Sequence, residues 1–302
     1  MYTIIDVNGS KVCHHSSPSI WTSEYYFYCL RLLVAVLQRS QKSVNIIFGD
    51  IACDFHNSNN TIKIDIQSEH TLVKLGGRSV DEVVSGNIDL LDGTGKYLIR
   101  IPNYNYYSRL DATIEYSRPN IANVQTNSLY TDYIKRAIYI APTIYDVVNF
   151  QMGNRSATIT LGNSSDRRIE FAWKTKTMGL DISNIQNVLS KHSLKSMYND
   201  TKIMVNVHQT DHHHTFEELR VLPALCNGVI IVSERVPLKE VIPYVDSIVW
   251  SSYNDLAQTV RDVQNNYNDY FQRIFTHKLE EQIIALRQDN INNLADLIDK
   301  IT

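Results

Sequence analysis

From Ile169 onward, short β-branched or apolar runs alternate with helix-forming ones. Strand-like segments fall at Ile169–Trp173, Lys202–Val207, Val229–Val232 and Ser247–Trp250, and helix-like segments at Ile182–Lys195, Thr215–Cys226, Leu238–Ile242 and from Asn254. Parallel strands need a crossover to bring the chain back to the same end of the sheet, and a helix that makes the crossover also covers the sheet face. The order βαβαβαβα with short connections therefore predicts a parallel, doubly wound α/β sheet.

The first half repeats the theme more loosely. A strand at Tyr2–Val7 precedes a helix at Ser23–Leu37, and strands follow at Val44–Phe48, Thr61–Ile66, Lys96–Ile101, Ala112–Tyr116 and Ala137–Ala141. Between Asn149 and Arg168 the chain is polar and rich in Gly, Asn and Ser, which reads as a connector with a small hairpin near Ala157–Leu161. The expected organisation is an N-terminal Rossmann-like domain over 1–150, a linker over 151–168, a C-terminal Rossmann-like domain over 169–255, and C-terminal helices over 256–302. A chain of 302 residues accommodates two such domains.

Lys plus Arg (29) nearly balances Asp plus Glu (32), so no overall field draws the chain to a polyanion and nucleic acid is not expected as a partner. The longest apolar run, Leu32–Leu37, falls well short of the ~20 residues of a membrane span, so membrane contact is at most peripheral. The N-terminus lacks the basic and apolar regions of a secretion signal. Cys13, Cys29, Cys53 and Cys226 lie far apart and form no CxxC pair. A soluble protein of the reducing cytoplasm is the expectation, with Cys13-His14-His15 in a surface turn.

Ligands of parallel α/β sheets bind beyond the carboxyl ends of the strands. The loop after Lys202–Val207 reads His208-Gln209-Thr210-Asp211-His212-His213-His214-Thr215, and Thr215 with Glu218 has capping-box spacing. A helix starting there would offer free N–H groups to a phosphate. Ser233 and Glu234 close the next strand and should line the same crevice as Glu217.

The segments Val205-Asn206-Val207-His208, Glu217-x-x-Arg220 and Ala224 to Ser233-Glu234 resemble the donor half of GT-B glycosyltransferases, in the branch with an E-x-x-R helix and a closing V-S-E. The resemblance implies two Rossmann-like domains with a cleft between them and C-terminal helices packing across. It also implies transfer of a sugar from a UDP- or GDP-linked donor to a glycan or glycoconjugate hydroxyl, with no metal. Glu217 would bind the donor ribose or sugar, and the loop with His208, Asp211 and Thr215 would receive the diphosphate. Arg220, Ser233 and Glu234 would assist. Lys174 and Lys176 are the candidates for offsetting diphosphate charge. The family's second glutamate has no counterpart, its place being taken by Leu225. In the first half, Asp65 to Arg78 also resembles this branch; His70 or Glu69 would be the base for an acceptor hydroxyl, Gly76-Gly77 would admit a ligand, and Asp111 with Tyr116–Asn120 would complete the acceptor side.

Other readings stand beside these. Glu217 also suits a first-turn carboxylate offsetting the helix dipole, and Arg220 an ion pair with Glu217 or Asp211. His208 and His212 with Asp211 would be the core of a metal-dependent hydrolase, although consecutive histidines point in different directions and suit a solvated loop. A non-catalytic nucleotide- or carbohydrate-binding protein on the same scaffold is the third possibility.

Overall fold

A computed structural model describes residues 1–18, 22–53, 61–76, 83–146, 150–162, 165–186 and 191–301. Gly77 and Arg78 of the glycine-containing segment, and Asn163 and Ser164, lie outside the described residues.

The chain opens with a hairpin of β1 (Tyr2–Val7) and β2 (Ser10–His15). Its turn is Asn8-Gly9, with φ of 47° and 81°, the conformations a two-residue loop between twisted strands demands. Cys13-His14-His15 is thus a strand inside the sheet and not a surface turn, with Cys13 fully buried. Helix α1 (Ser23–Arg39) leads to β3 (Asn45–Phe48) and β4 (Thr61–Gln67).

An antiparallel excursion follows, comprising β5 (Leu72–Val73), β6 (Val83–Asp89) and β7 (Lys96–Arg100) in the order β5-β7-β6. After α2 (Tyr104–Tyr107) the chain rejoins the main sheet as β8 (Ala112–Glu115), passes through α3 (Arg118–Gln125) and α4 (Thr131–Arg136), and adds β9 (Ala137–Tyr139). The first sheet is β1-β2-β3-β4-β8-β9, parallel from β2 onward and assembled in chain order.

The second sheet comprises β10 (Ala157–Leu161), β11 (Ser183–Ile185), β12 (Thr201–Asn206), β13 (Ile230–Glu234) and β14 (Ile248–Ser251), all parallel, in the order β11-β10-β12-β13-β14. Its crossovers use α5 (Asp166–Thr177), α6 (Lys191–Asp200) and α7 (Glu218–Cys226), and α8 (Leu256–Asn265), α9 (Tyr267–Ile274) and α10 (His277–Ile301) follow. The supposed linker therefore holds β10 and the start of α5. Ile169–Trp173 is not a strand but the middle of α5, and the segment expected to be helical from Ile182 begins with β11.

Helix α10 returns to pack on α1 and β9. Asn290 sits fully buried in its inner face, accepting from Ala141 N at 2.7 Å and donating to Ala141 O at 2.8 Å and Tyr28 Oη at 3.0 Å. One continuous apolar cluster includes Ile46 and Ile114 of the first sheet and Ile203 and Ile231 of the second. Among the described residues, no helix is long and apolar enough to cross a membrane.

Candidate functional site

The second sheet reverses its strand order at β10: β11 lies on one side and β12 on the other. Such a reversal splays the loops leaving adjacent strands and opens a crevice at their carboxyl ends. The loop leaving β10 begins at Gly162, whose φ of +119° strains any side chain; a Cβ there would stand 2.8 Å from Arg168 Nη1 and 3.3 Å from Arg220 Nη1, so the guanidinium groups would have to shift. Ser165 caps α5, its hydroxyl accepting from Arg168 N at 3.4 Å.

Three arginines converge here. Arg168 is buried and donates from Nε and Nη2 to Val207 O, at 3.1 and 3.0 Å, bridging the ends of β10 and β12. Burial lowers its pKa to about 10, with Arg220 adding to the effect, so it stays charged at neutral pH. Arg220 donates to Leu161 O at 3.2 Å and lies 3.5 Å from Glu217 Oε2. Arg167 stacks 3.7 Å from the Tyr253 ring centroid and pairs with both Asp211 and Glu234.

Glu217, just ahead of α7, reaches across to the first sheet: its Oε1 lies 2.5 Å from Nε2 of His70, which follows β4. Burial alone would raise the Glu217 pKa, but Arg220, His70 and Arg168 override it and hold the carboxyl well below the usual range. With Glu217 ionised, His70 Nε2–H is the donor and Nδ1 is left buried with no hydrogen-bond partner. The Nε2 of His208 is orphaned in the same way. Burial, then the charges of Arg167 and His70, depress the His208 pKa to about 3. Its backbone N–H donates to Glu234 Oε2 at 2.7 Å. Positions expected to face each other across an open cleft are here in direct contact.

The histidine loop is a strap laid along the outer edge of β5. Lys74 N donates to His212 O at 2.8 Å, His214 N to Leu72 O at 3.2 Å, and Leu72 N to Thr215 Oγ1 at 3.3 Å. Thr215 therefore joins the two halves instead of capping a helix, and α7 starts only at Glu218. Each of its three consecutive histidines has a ring partner: His212 Nδ1 donates to Leu75 O, His213 Nδ1 meets Thr210 Oγ1, and His214 Nε2 donates to Asp211 O, leaving His214 Nδ1 to accept from Tyr97 Oη at 3.0 Å. Burial, with His208 nearby, pushes the His214 pKa down to about 4. No group of three His, Cys, Asp or Glu side chains is placed to hold a metal among the described residues.

The remaining expected residues divide. His208, Asp211, Glu217, Arg220 and Glu234 gather at the switch point. Ser233 lies beneath them, fully buried and accepting from Asn206 Nδ2 at 3.0 Å. Glu69 is ion-paired with Arg100 at 2.9 Å and its side chain is 60% exposed, so His70 is the residue that meets the second sheet. Lys174 and Lys176 lie in the last turn of α5, away from Arg167 and Arg168 in its first turn, and Lys174 donates to Asn254 O in the loop after β14. Asp111 precedes β8, at the far end of the first sheet, and accepts from Lys63 N at 2.8 Å.

Sequence reasoning missed Gly162, Arg167 and Arg168, hidden in the supposed linker. Their signal was Gly162 followed within six residues by Arg167-Arg168, a glycine loop opening a basic helix. It also passed over the buried carboxyl of Glu115, and read Glu218 only as the partner of Thr215 in a capping box.

No family model matches the chain. An uncharacterized protein of Acanthamoeba polyphaga mimivirus is 25% identical over 129 residues, which is 40% of this chain and 46% of the relative, so the match spans less than half of that protein. A chain from the crystal structure of accessory secretory protein 1, 2 and 3 in Streptococcus pneumoniae superposes with a TM-score of 0.46 and 8% identity, covering 90% of this chain and 57% of that one. That likeness is too distant to carry fold or activity from one chain to the other.

Proposed function

We propose that this chain is a glycosyltransferase of GT-B architecture, moving a sugar from a UDP- or GDP-linked donor to a glycan or glycoconjugate hydroxyl without a bound metal. The observation that carries the reading is the meeting of His70 and Glu217 from the carboxyl ends of two parallel sheets, beside Arg168 and Arg220. The diphosphate would lie against the N-terminus of α5 and the guanidinium groups of Arg167, Arg168 and Arg220, which answer its charge.

In the transfer, the acceptor oxygen bonds to the anomeric carbon while the bond from that carbon to the diphosphate oxygen breaks, its electron pair leaving with the nucleotide. The hydroxyl proton passes to His70 Nδ1, the nitrogen left free when Glu217 takes Nε2–H. The residue resemblance supports the donor side of this assignment.

The direct contact between His70 and Glu217 favours a second reading, a non-catalytic nucleotide- or carbohydrate-binding protein that is closed in this state. Release of nucleoside diphosphate from UDP- and GDP-sugars, measured with a panel of glycan acceptors, separates the two. The native chain should release one of the two diphosphates, and His70→Ala should lose at least about a hundredfold of that rate, within the ordinary range for a general base. Binding without release by the native chain would favour the second reading.

A further inference from the structure

We propose that Glu218 is a proton-sensitive latch between the two sheets, a positioning residue that fixes the N-terminus of α7 and hence the place where Glu217 meets His70. The inference stands apart from the sugar-transfer reading, because it concerns only how the two halves hold each other.

Glu217 and Glu218 are adjacent, yet each carboxylate reaches a different part of the first half. Glu218 is fully buried. Its Oε1 accepts from Arg118 N, the first residue of α3, at 3.2 Å. Its Oε2 accepts from Tyr139 Oη of β9 at 3.1 Å and from Tyr244 Oη, between β13 and β14, at 2.7 Å. Ser117, Tyr116 and the Arg118 side chain, which stands 4.9 Å from the Tyr139 ring centroid, complete the titratable, charged and hydroxyl groups around it, with Glu217 its neighbour in sequence. One carboxyl thus ties α7 to two elements of the first half, a role that its capping-box spacing from Thr215 does not foretell.

Burial raises the Glu218 pKa to about 7 against the pull of Tyr244, Tyr139, Ser117 and the Arg118 amide. A released, hydrated glutamate titrates at about 4.3. The folded pKa is raised, so the contribution to closure is complete below the released pKa and is lost as pH climbs to the folded one. Closure at this contact should weaken up to about tenfold per pH unit between those limits and level off above pH 7.

Hydrogen exchange of the Arg118 amide in the full chain, corrected for intrinsic exchange, reads the latch directly. Native protection should fall between pH 5 and 7 and plateau above, the slope should vanish in Glu218→Gln, and it should persist in Glu115→Gln, which removes a buried carboxyl elsewhere in the first half. A native chain without the slope, or a slope surviving in Glu218→Gln, would overturn the proposal. Should Glu218→Gln fail to fold, Tyr244→Phe provides the test. Removing a donor to the ionised carboxylate should move the plateau to higher pH, and an unmoved plateau would overturn the proposal equally.

Discussion

At the scale of single residues, the site depends on charges that are held in place by other charges. Glu217 is the junction: one oxygen faces His70, the other Arg220, and Arg168 lies close enough to help keep it ionised. Glu217→Gln preserves the shape but removes the charge. It should lower stability by about 1–3 kcal/mol, the ordinary cost of leaving buried polar partners poorly matched. Urea denaturation at neutral pH checks this, and a loss below a few tenths of a kcal/mol would mean the contact with His70 is incidental. Glu217 and Arg220 stood out in the sequence through the resemblance of their E-x-x-R segment to the donor half of GT-B glycosyltransferases. The free state of His70 Nδ1 was not, since it depends on which nitrogen Glu217 takes.

At the scale of elements, the legibility of each segment follows where its polar residues lie. Strands β12 and β13 carry apolar residues on both faces and read within two residues of their ends. Helix α5 was misread because its buried stripe is Arg168, Phe171 and Thr175: the helical spacing is present, but two of the three positions are polar, so hydrophobic periodicity does not report it. Strand β10 was misread because Gly153 and Gly162 bracket it and make it look like part of a connector. That error concealed the loop at the switch point. Gly162→Ala tests the loop: a Cβ would press on Arg168 and Arg220 at a backbone conformation that side chains rarely adopt. The variant should lose about 1–3 kcal/mol through strain and bind anions more weakly. Chemical denaturation together with a pyrophosphate titration measures both, and unchanged values would mean that the loop is free to give way.

At the scale of the whole molecule, two histidines and two glutamates oppose each other in their pH dependence. His208 and His214 have pKa values lowered to about 3 and about 4, so unfolding takes up protons below about 6.5 and their contribution is lost as pH falls towards those values. Glu115 and Glu218 have pKa values raised to about 8 and about 7, in each case chiefly by burial. Their contribution is complete below about 4.3 and is lost as pH rises to those limits. Between about pH 4.3 and 6.5 the two pairs oppose each other, each group contributing about 1.4 kcal/mol per pH unit. Stability measured by urea denaturation should therefore be nearly flat across that interval and decline on both sides, falling between pH 6.5 and 8. A maximum at pH 8 would contradict the assignment of the buried carboxyls.

Isothermal titration decides whether the reversal point of the second sheet receives a nucleoside diphosphate, as proposed. UDP and GDP would be titrated into the native chain and into Glu217→Gln, with and without a chelator. One of the two should bind the native chain, the chelator should leave the affinity unchanged, and the variant should bind at least about tenfold more weakly, a difference of about 1.4 kcal/mol. Absence of binding by either nucleotide, or binding that requires a divalent metal, would contradict it.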